Sequence, residues 1–208
     1  MRLLTKLELR RLWFTVHKWL GLALAVPVVL IFITGSLLLV KDSFGLPATR
    51  PMRFAHVLHG SLRLGWAGGR LVGAIAFLLL LSAFSGLWLW WPMKGPLTRA
   101  LRWGRTPSTN ANLHHQAGYW LAIPMAVLMF TGASISFRGL FARATGEEVV
   151  SLMRHIHDGT GTPVIWQIVI FLSGLAGAAM AVTGVIMWLK GQAREVRTRR
   201  QRSARTGR

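Results

Sequence analysis

Residues 17–35 read HKWLGLALAVPVVLIFITG: a histidine at the mouth of a long apolar run, then Gly21, Pro27 and a closing Thr34-Gly35. The same frame returns in residues 114–132, HHQAGYWLAIPMAVLMFTG, with Gly118, Pro124 and Thr131-Gly132. Counted from His17 and from His114, the four features fall at offsets 4, 10, 17 and 18 in both copies. Agreement this regular marks an internal repeat, and it has to be explained before anything else.

A second pair of segments repeats in step with the first. From His59, Ser85-Gly86 lie at offsets 26 and 27 and Trp90 at 31; from His157, Thr183-Gly184 and Trp188 fall at the same offsets. The chain therefore reads as two helical hairpins in tandem, over about residues 13–92 and 113–189. Each hairpin brings one histidine near its entry and one on the loop that joins its two spans.

Composition gives these runs a setting. Of 208 residues, 52% are hydrophobic and 15% charged, where a soluble domain carries about 25% charged residues. Four stretches, near 13–40, 69–92, 115–137 and 164–189, are long enough to cross a bilayer, which takes roughly 20 helical residues. Strands are excluded for them, because the runs are long, Leu/Ala-rich and uninterrupted by turn signals, and of the helices and closed barrels that satisfy the backbone in lipid only helices fit such runs. The predicted fold class is an all-α membrane protein. It is a four-transmembrane-helix bundle, residues 1–192, built from two parallel-repeat hairpins whose pseudo-twofold axis runs along the membrane normal. Residues 193–208 read as a basic, disordered cytoplasmic tail.

Charge placement sets the topology. If the N-terminus is cytoplasmic, 17 of the 25 Lys and Arg residues fall on inner segments, and four of the six acids fall on the outer loops. The positive-inside rule then predicts both termini in the cytoplasm. The basic tail reads as a topology signal touching anionic lipid, and not as a nucleic-acid site. Residues 1–12 read as an interfacial amphipathic lead-in, without the cleavage pattern of a signal peptide. The outer loop after the first span predicts a short helix over about 53–64, broken by Gly65, Gly68 and Gly69. That break is required by length. From His59 to Gly86 is 27 residues, about 40 Å as one helix, against a hydrocarbon core of about 30 Å. Pro27 and Pro124 predict kinks in the first and third spans.

The chemistry rests on histidine. There is no cysteine, which excludes disulfides, thiolate metal sites, iron–sulfur clusters and covalently attached haem. No carboxylate lies inside a span, which disfavours a pump built on buried acids. No phosphate loop, nucleophile elbow or HExxH zinc motif is present. A lone interfacial histidine is most often a polar anchor. Four placed by a repeat are another matter. Under the predicted topology, a twofold axis brings His17 to face His114 at the inner end and His59 to face His157 at the outer end. Facing imidazoles across an apolar bundle are what a six-coordinate, non-covalent b-type haem requires. Gly21 and Gly118, one turn after their histidines, would let a flat ring approach the helix, and each Thr-Gly would give the opposite haem clearance or allow close helix packing. His115, His56 and His155 are neighbours that stand as alternative or interfacial residues. Arg53, Arg63 and Arg154 are candidates for the haem propionates.

The HKWLG…TG spans, LHG before GGRLVGAIAFLLLL…SGLWLWWP, and IHDGTG before LSGLAGAAMAVTGVIMWLK resemble PepSY-associated transmembrane proteins, a family that includes iron-regulated inner-membrane proteins and ferric-siderophore reductases. The resemblance runs from about residue 10 to 192. It implies a bundle with two b haems, held by His17, His114, His59 and His157, that carries electrons across the bacterial inner membrane. The donor would be a quinol or a cytoplasmic reductase, and the acceptor a ferric chelate such as siderophore iron at the periplasmic face. Members of the family carry a folded periplasmic region between spans; here the outer loops are too short for one, so the chain reads as a minimal electron-transfer core. The alternative is a non-catalytic membrane scaffold or accessory subunit whose histidines are interfacial anchors; a small transporter is the third reading.

Overall fold

A computed structural model describes residues 5–91, 98–104 and 106–206. Part of the expected amphipathic lead-in (residues 1–4), the end of the first hairpin at Pro92, the basic residues Lys94 and Arg105, and the last two residues lie outside that description.

The described residues are helical, with no strand among them. In order they form α1 (Lys6–Ser43), α2 (Arg50–Ser61), α3 (Gly65–Trp90), α4 (Thr98–Leu101), α5 (Thr109–Trp120), α6 (Ala122–Ser136), α7 (Arg138–Thr145), α8 (Glu147–Asp158) and α9 (Val164–Thr206). Helices α1, α3 and α9 are long and apolar enough to cross a membrane, and α5 with α6 makes a fourth if the bent pair is one span. This is a membrane protein.

The amphipathic lead-in is not a separate element. Helix α1 starts at Lys6 behind a reciprocal cap, with the Thr5 hydroxyl accepting from Glu8 N–H and the Glu8 carboxylate accepting from Thr5 N–H, which satisfies two otherwise unpaired donors. From its first turns the Arg10 guanidinium reaches the end of α3 and donates to the carbonyls of Trp88, Leu89 and Trp91. Those carbonyls have no helical partner and carry the negative end of the α3 dipole, so a cation there is favoured.

The loop helix α2 spans Arg50–Ser61 and ends in two left-handed residues, Leu62 (φ 48°) and Arg63 (φ 61°). The predicted break therefore falls just before Gly65, with Gly68 and Gly69 inside α3. Gly68 has its own reason to be glycine: a Cβ there would sit 1.9 Å from the Ser61 carbonyl oxygen.

The two prolines of the repeat behave differently. Helix α1 runs through Pro27 as one element, while the third span is broken at Leu121 and turns by 67°. Pro124 explains the break, because it has no N–H for the Trp120 carbonyl and its ring crowds that carbonyl. Beyond Pro27, α1 packs closely on α9. A Cβ on Gly174 would lie 2.1 Å from Ser36 Oγ, one on Gly177 would lie 3.0 Å from the Phe32 ring, and Ser36 donates to the Phe171 carbonyl at 3.3 Å. The matching contact of α3 is with α6, where Gly73 faces Ser136 and Phe137 and Phe77 stacks on Phe137.

The expected disordered tail is helical as far as Thr206. Arg, Gln and Ala are good helix formers, the span supplies the nucleus, and Glu195 pairs with Arg199 one turn on.

Candidate metal centres

Four histidines are set by four different helices. His17 is on α1, His59 on α2, His114 on α5 and His157 on α8. The structure brings them together as two pairs. The His17 and His114 ring centroids are 6.3 Å apart with planes at 84°, and those of His59 and His157 are 6.0 Å apart with planes at 39°. Two imidazoles on opposite sides of one metal, each bonded at about 2 Å, have centroids about 6 Å apart.

Each ring is held in the same way by a neighbouring span. His17 Nδ1 lies 3.0 Å from the Ser82 carbonyl oxygen and 3.0 Å from Ser85 Oγ. For His114 the partners are the Met180 carbonyl at 3.1 Å and Thr183 Oγ1 at 3.0 Å. For His157 they are the Leu128 carbonyl at 3.0 Å and Thr131 Oγ1 at 3.1 Å. His59 Nδ1 is 2.8 Å from the Ile31 carbonyl. In every case the carbonyl sits four residues before a glycine: Gly86, Gly184, Gly132 and Gly35. A carbonyl only accepts, so Nδ1 must carry the proton and Nε2 must hold a lone pair. The hydroxyls agree. Ser85 donates to the Ser82 carbonyl, Thr183 to that of Met180 and Thr131 to that of Val127, so each hydroxyl oxygen is left to accept from the ring. An imidazole whose second nitrogen donates to a backbone carbonyl is the usual state of a metal-ligating histidine.

The glycines of these dyads, expected to give a haem clearance or to allow close helix packing, have a further role that sequence reasoning missed: they seat the histidines. A Cβ on Gly35 would lie 2.8 Å from His59 Cε1, one on Gly86 2.9 Å from His17 Cε1, one on Gly132 3.0 Å from His157 Cε1 and one on Gly184 3.5 Å from His114 Cε1. Gly184, expected to pack helices, belongs with this group. The clue in the sequence was that each of the four spans carries a Ser/Thr-Gly at a repeat offset, Thr34-Gly35, Ser85-Gly86, Thr131-Gly132 and Thr183-Gly184. Gly21 keeps its open surroundings, with nothing within 4 Å of a built Cβ, while Gly118 faces the Met180 methyl at 3.1 Å.

The neighbouring residues sort themselves. His56 and His155 are exposed, and His155 Nδ1 is turned to the Thr160 carbonyl. His115 lies edge-on to His114 at 6.4 Å. Arg53 is committed to the Ala48 carbonyl and Arg63 to the Phe54 ring. Arg154 bears on the outer pair through its charge on His157. Burial pushes the His157 pKa down to about 4, helped by the neighbouring His59, and burial also lowers that of His59. Both imidazoles are thus neutral near pH 7, the form that binds metal.

Among the described residues no three His, Cys, Asp or Glu side chains gather as a metal site. Two neutral imidazoles are too few for a metal held by protein alone, but they suit one that already carries four in-plane donors.

A model of the PepSY-associated TM region matches residues 42–147 and 139–191. The chain belongs to the PepSY-associated TM family. The matched residues include His59, His114 and His157 and leave out His17, whose assignment therefore stands on the repeat and on its place opposite His114. No curated protein and no solved structure matches the chain.

Proposed function

We propose that this PepSY-associated TM protein is a transmembrane electron carrier holding two non-covalent b-type haems, one between His17 and His114 and one between His59 and His157. One observation supports this above the others. All four rings commit Nδ1 to a helix carbonyl, leaving four Nε2 lone pairs on two pairs of rings whose centroids lie 6.3 and 6.0 Å apart. The donor set fits haem, and the open flank of Gly21 offers a flat ring an approach to α1.

Bound there, haem would supply one-electron chemistry. The chain's own residues do the rest. The Ser82, Met180, Ile31 and Leu128 carbonyls hold the imidazole protons in place, and the Ser/Thr-Gly dyads fix the ring positions. The apolar spans keep water from the sites. In this reading the molecule is a four-helix bundle of two repeated hairpins related by a twofold axis along the membrane normal. It lies in the bacterial inner membrane with both termini cytoplasmic. A quinol or cytoplasmic reductase supplies electrons at the His17/His114 end, and a ferric chelate takes them at the His59/His157 end.

The test is a pyridine haemochrome assay on purified protein, with optical spectra before and after dithionite. Two acid-extractable haems per chain are expected. Folded protein without haem absorbance refutes the carrier and leaves a scaffold.

A further inference from the structure

The four receptors are not equal. His17 Nδ1 has the Ser82 carbonyl and Ser85 Oγ at 3.0 Å, with Ser82 Oγ at 3.3 Å. His114 and His157 each have a carbonyl and a threonine hydroxyl. Among the described residues, His59 has the Ile31 carbonyl alone. Thr34 occupies the corresponding place in its dyad, but its hydroxyl lies against the Leu30 carbonyl at 2.6 Å and the Ile31 carbonyl at 3.1 Å. Ser85, Thr131 and Thr183 also donate to the carbonyl that their histidine uses, but each is in addition within hydrogen-bond distance of the ring. Among the described residues Thr34 shares the Ile31 carbonyl with His59 and gives the ring no acceptor of its own.

We propose that this missing acceptor makes the His59/His157 site the one of higher reduction potential, and the fully accepted His17/His114 site the lower. The proposal rests on the haem reading above. The physical link is the charge on the ligand. Each acceptor that draws on Nδ1–H pushes the imidazole toward imidazolate, makes it the more basic ligand and favours the oxidised metal over the reduced one. At the His17/His114 end both rings have carbonyl and hydroxyl; at the other end only one does. One electron then passes downhill from the first site to the second. With haem bound, the His17/His114 site would give up the electron that the His59/His157 site takes, and the chain's own part would be to keep every Nδ1–H on its carbonyl so that no proton moves.

The two threonines give variants of opposite sign. Thr183→Val removes the hydroxyl acceptor of His114 along with that hydroxyl's own bond to the Met180 carbonyl. The carbonyl keeps a lone pair for the ring in either case, so loss of the direct acceptor dominates and should raise the lower wave of a spectroelectrochemical titration, leaving the upper wave in place. Thr34→Val removes the competitor for the Ile31 carbonyl and should lower the upper wave, narrowing the gap. Thr183→Ser keeps a hydroxyl and should restore the wild-type lower wave, which separates hydrogen bonding from packing. His59→Ala identifies the upper wave by abolishing it. The proposal is overturned if Thr34→Val leaves the upper wave unmoved or raises it, or if Thr183→Val moves the upper wave. Two haems with unmoved waves sink this inference alone, whereas wild-type protein that binds no haem sinks it together with the haem reading.

Discussion

The dyad glycines make the sharpest prediction, because the structure orders them. Consider replacing each by alanine. A relaxed carbon–carbon contact settles at about 3.5 Å. The new methyl carbon would start 2.8 Å from His59 Cε1 at Gly35, 2.9 Å from His17 Cε1 at Gly86, 3.0 Å from His157 Cε1 at Gly132 and 3.5 Å from His114 Cε1 at Gly184. Relief takes a ring displacement of about 0.7, 0.6 and 0.5 Å at the first three and none at the fourth. A metal–ligand distance tolerates only about 0.2 Å. The ring cannot swing away freely either, since its Nδ1–H is tied to a carbonyl on the same helix as the glycine. Gly35→Ala should therefore lose most of the haem of the His59/His157 site, Gly86→Ala most of that at His17/His114, and Gly132→Ala somewhat less than Gly35→Ala. Gly184→Ala should keep both haems and gain up to about 1 kcal/mol in helix propensity. Overpacking should cost the other three about 1–3 kcal/mol, part of it offset by that same gain. Haem per chain and thermal unfolding in detergent read both effects. If Gly184→Ala strips its site as fully as Gly35→Ala does, the seats are not what hold the rings.

Other outcomes follow from the same geometry. His17→Ala and His114→Ala should remove one haem signal, and His59→Ala and His157→Ala the other; loss of the same signal in His17→Ala and His59→Ala refutes the pairing. A reporter active only outside the cytoplasm should signal from an insertion near Ala48 and stay silent when fused after Arg208, and the reverse pattern would exchange donor and acceptor faces. In haem-free protein the folded pKa of His157, about 4, lies below its ordinary 6.5, so the unfolded chain takes up the proton first. Its contribution to stability is complete above about pH 6.5 and is lost as pH falls toward 4. His157→Gln should flatten that part of the unfolding profile, and a wild-type profile already flat from pH 7 to 4 contradicts the buried neutral ring.

How much of this was legible before the fold was known depends on what kind of group carried the information. The spans and the four histidines were legible because they are side chains at fixed offsets. The pairs then followed from a symmetry argument, and the ring centroids of each pair lie 6.3 and 6.0 Å apart. The receptors were hidden, because their decisive atoms are backbone carbonyls of Ser82, Met180, Ile31 and Leu128. Those residues share no side-chain type and no motif names them. Only the glycine four residues on and the hydroxyl before it leave a trace, and a Thr-Gly in an apolar helix reads equally well as helix packing.

The unequal prolines carry that point one step further. Pro27 and Pro124 hold the same offset, so no reading of the repeat separates them, yet one helix continues and the other turns by 67°. What separates them lies elsewhere in the chain. Helix α1 packs closely on Gly174 and Gly177 of α9 through Ser36 and Phe32, in the turns that follow Pro27. At the break of the third span, Trp120 and Ile123 are exposed at 66% and 79%, and the flanking Tyr119 stacks on Trp90 of α3. A Pro124→Ala change restores the donor that the Trp120 carbonyl lacks and should straighten the span. Straightening would swing α5, and His114 with it, away from His17, while α6 keeps its hold on His157 through Leu128 and Thr131. The expected result is loss of the His17/His114 haem with the other retained. Pro27→Ala, in a helix already continuous, should disturb neither. If both substitutions leave the two haems intact, the break is not what places His114.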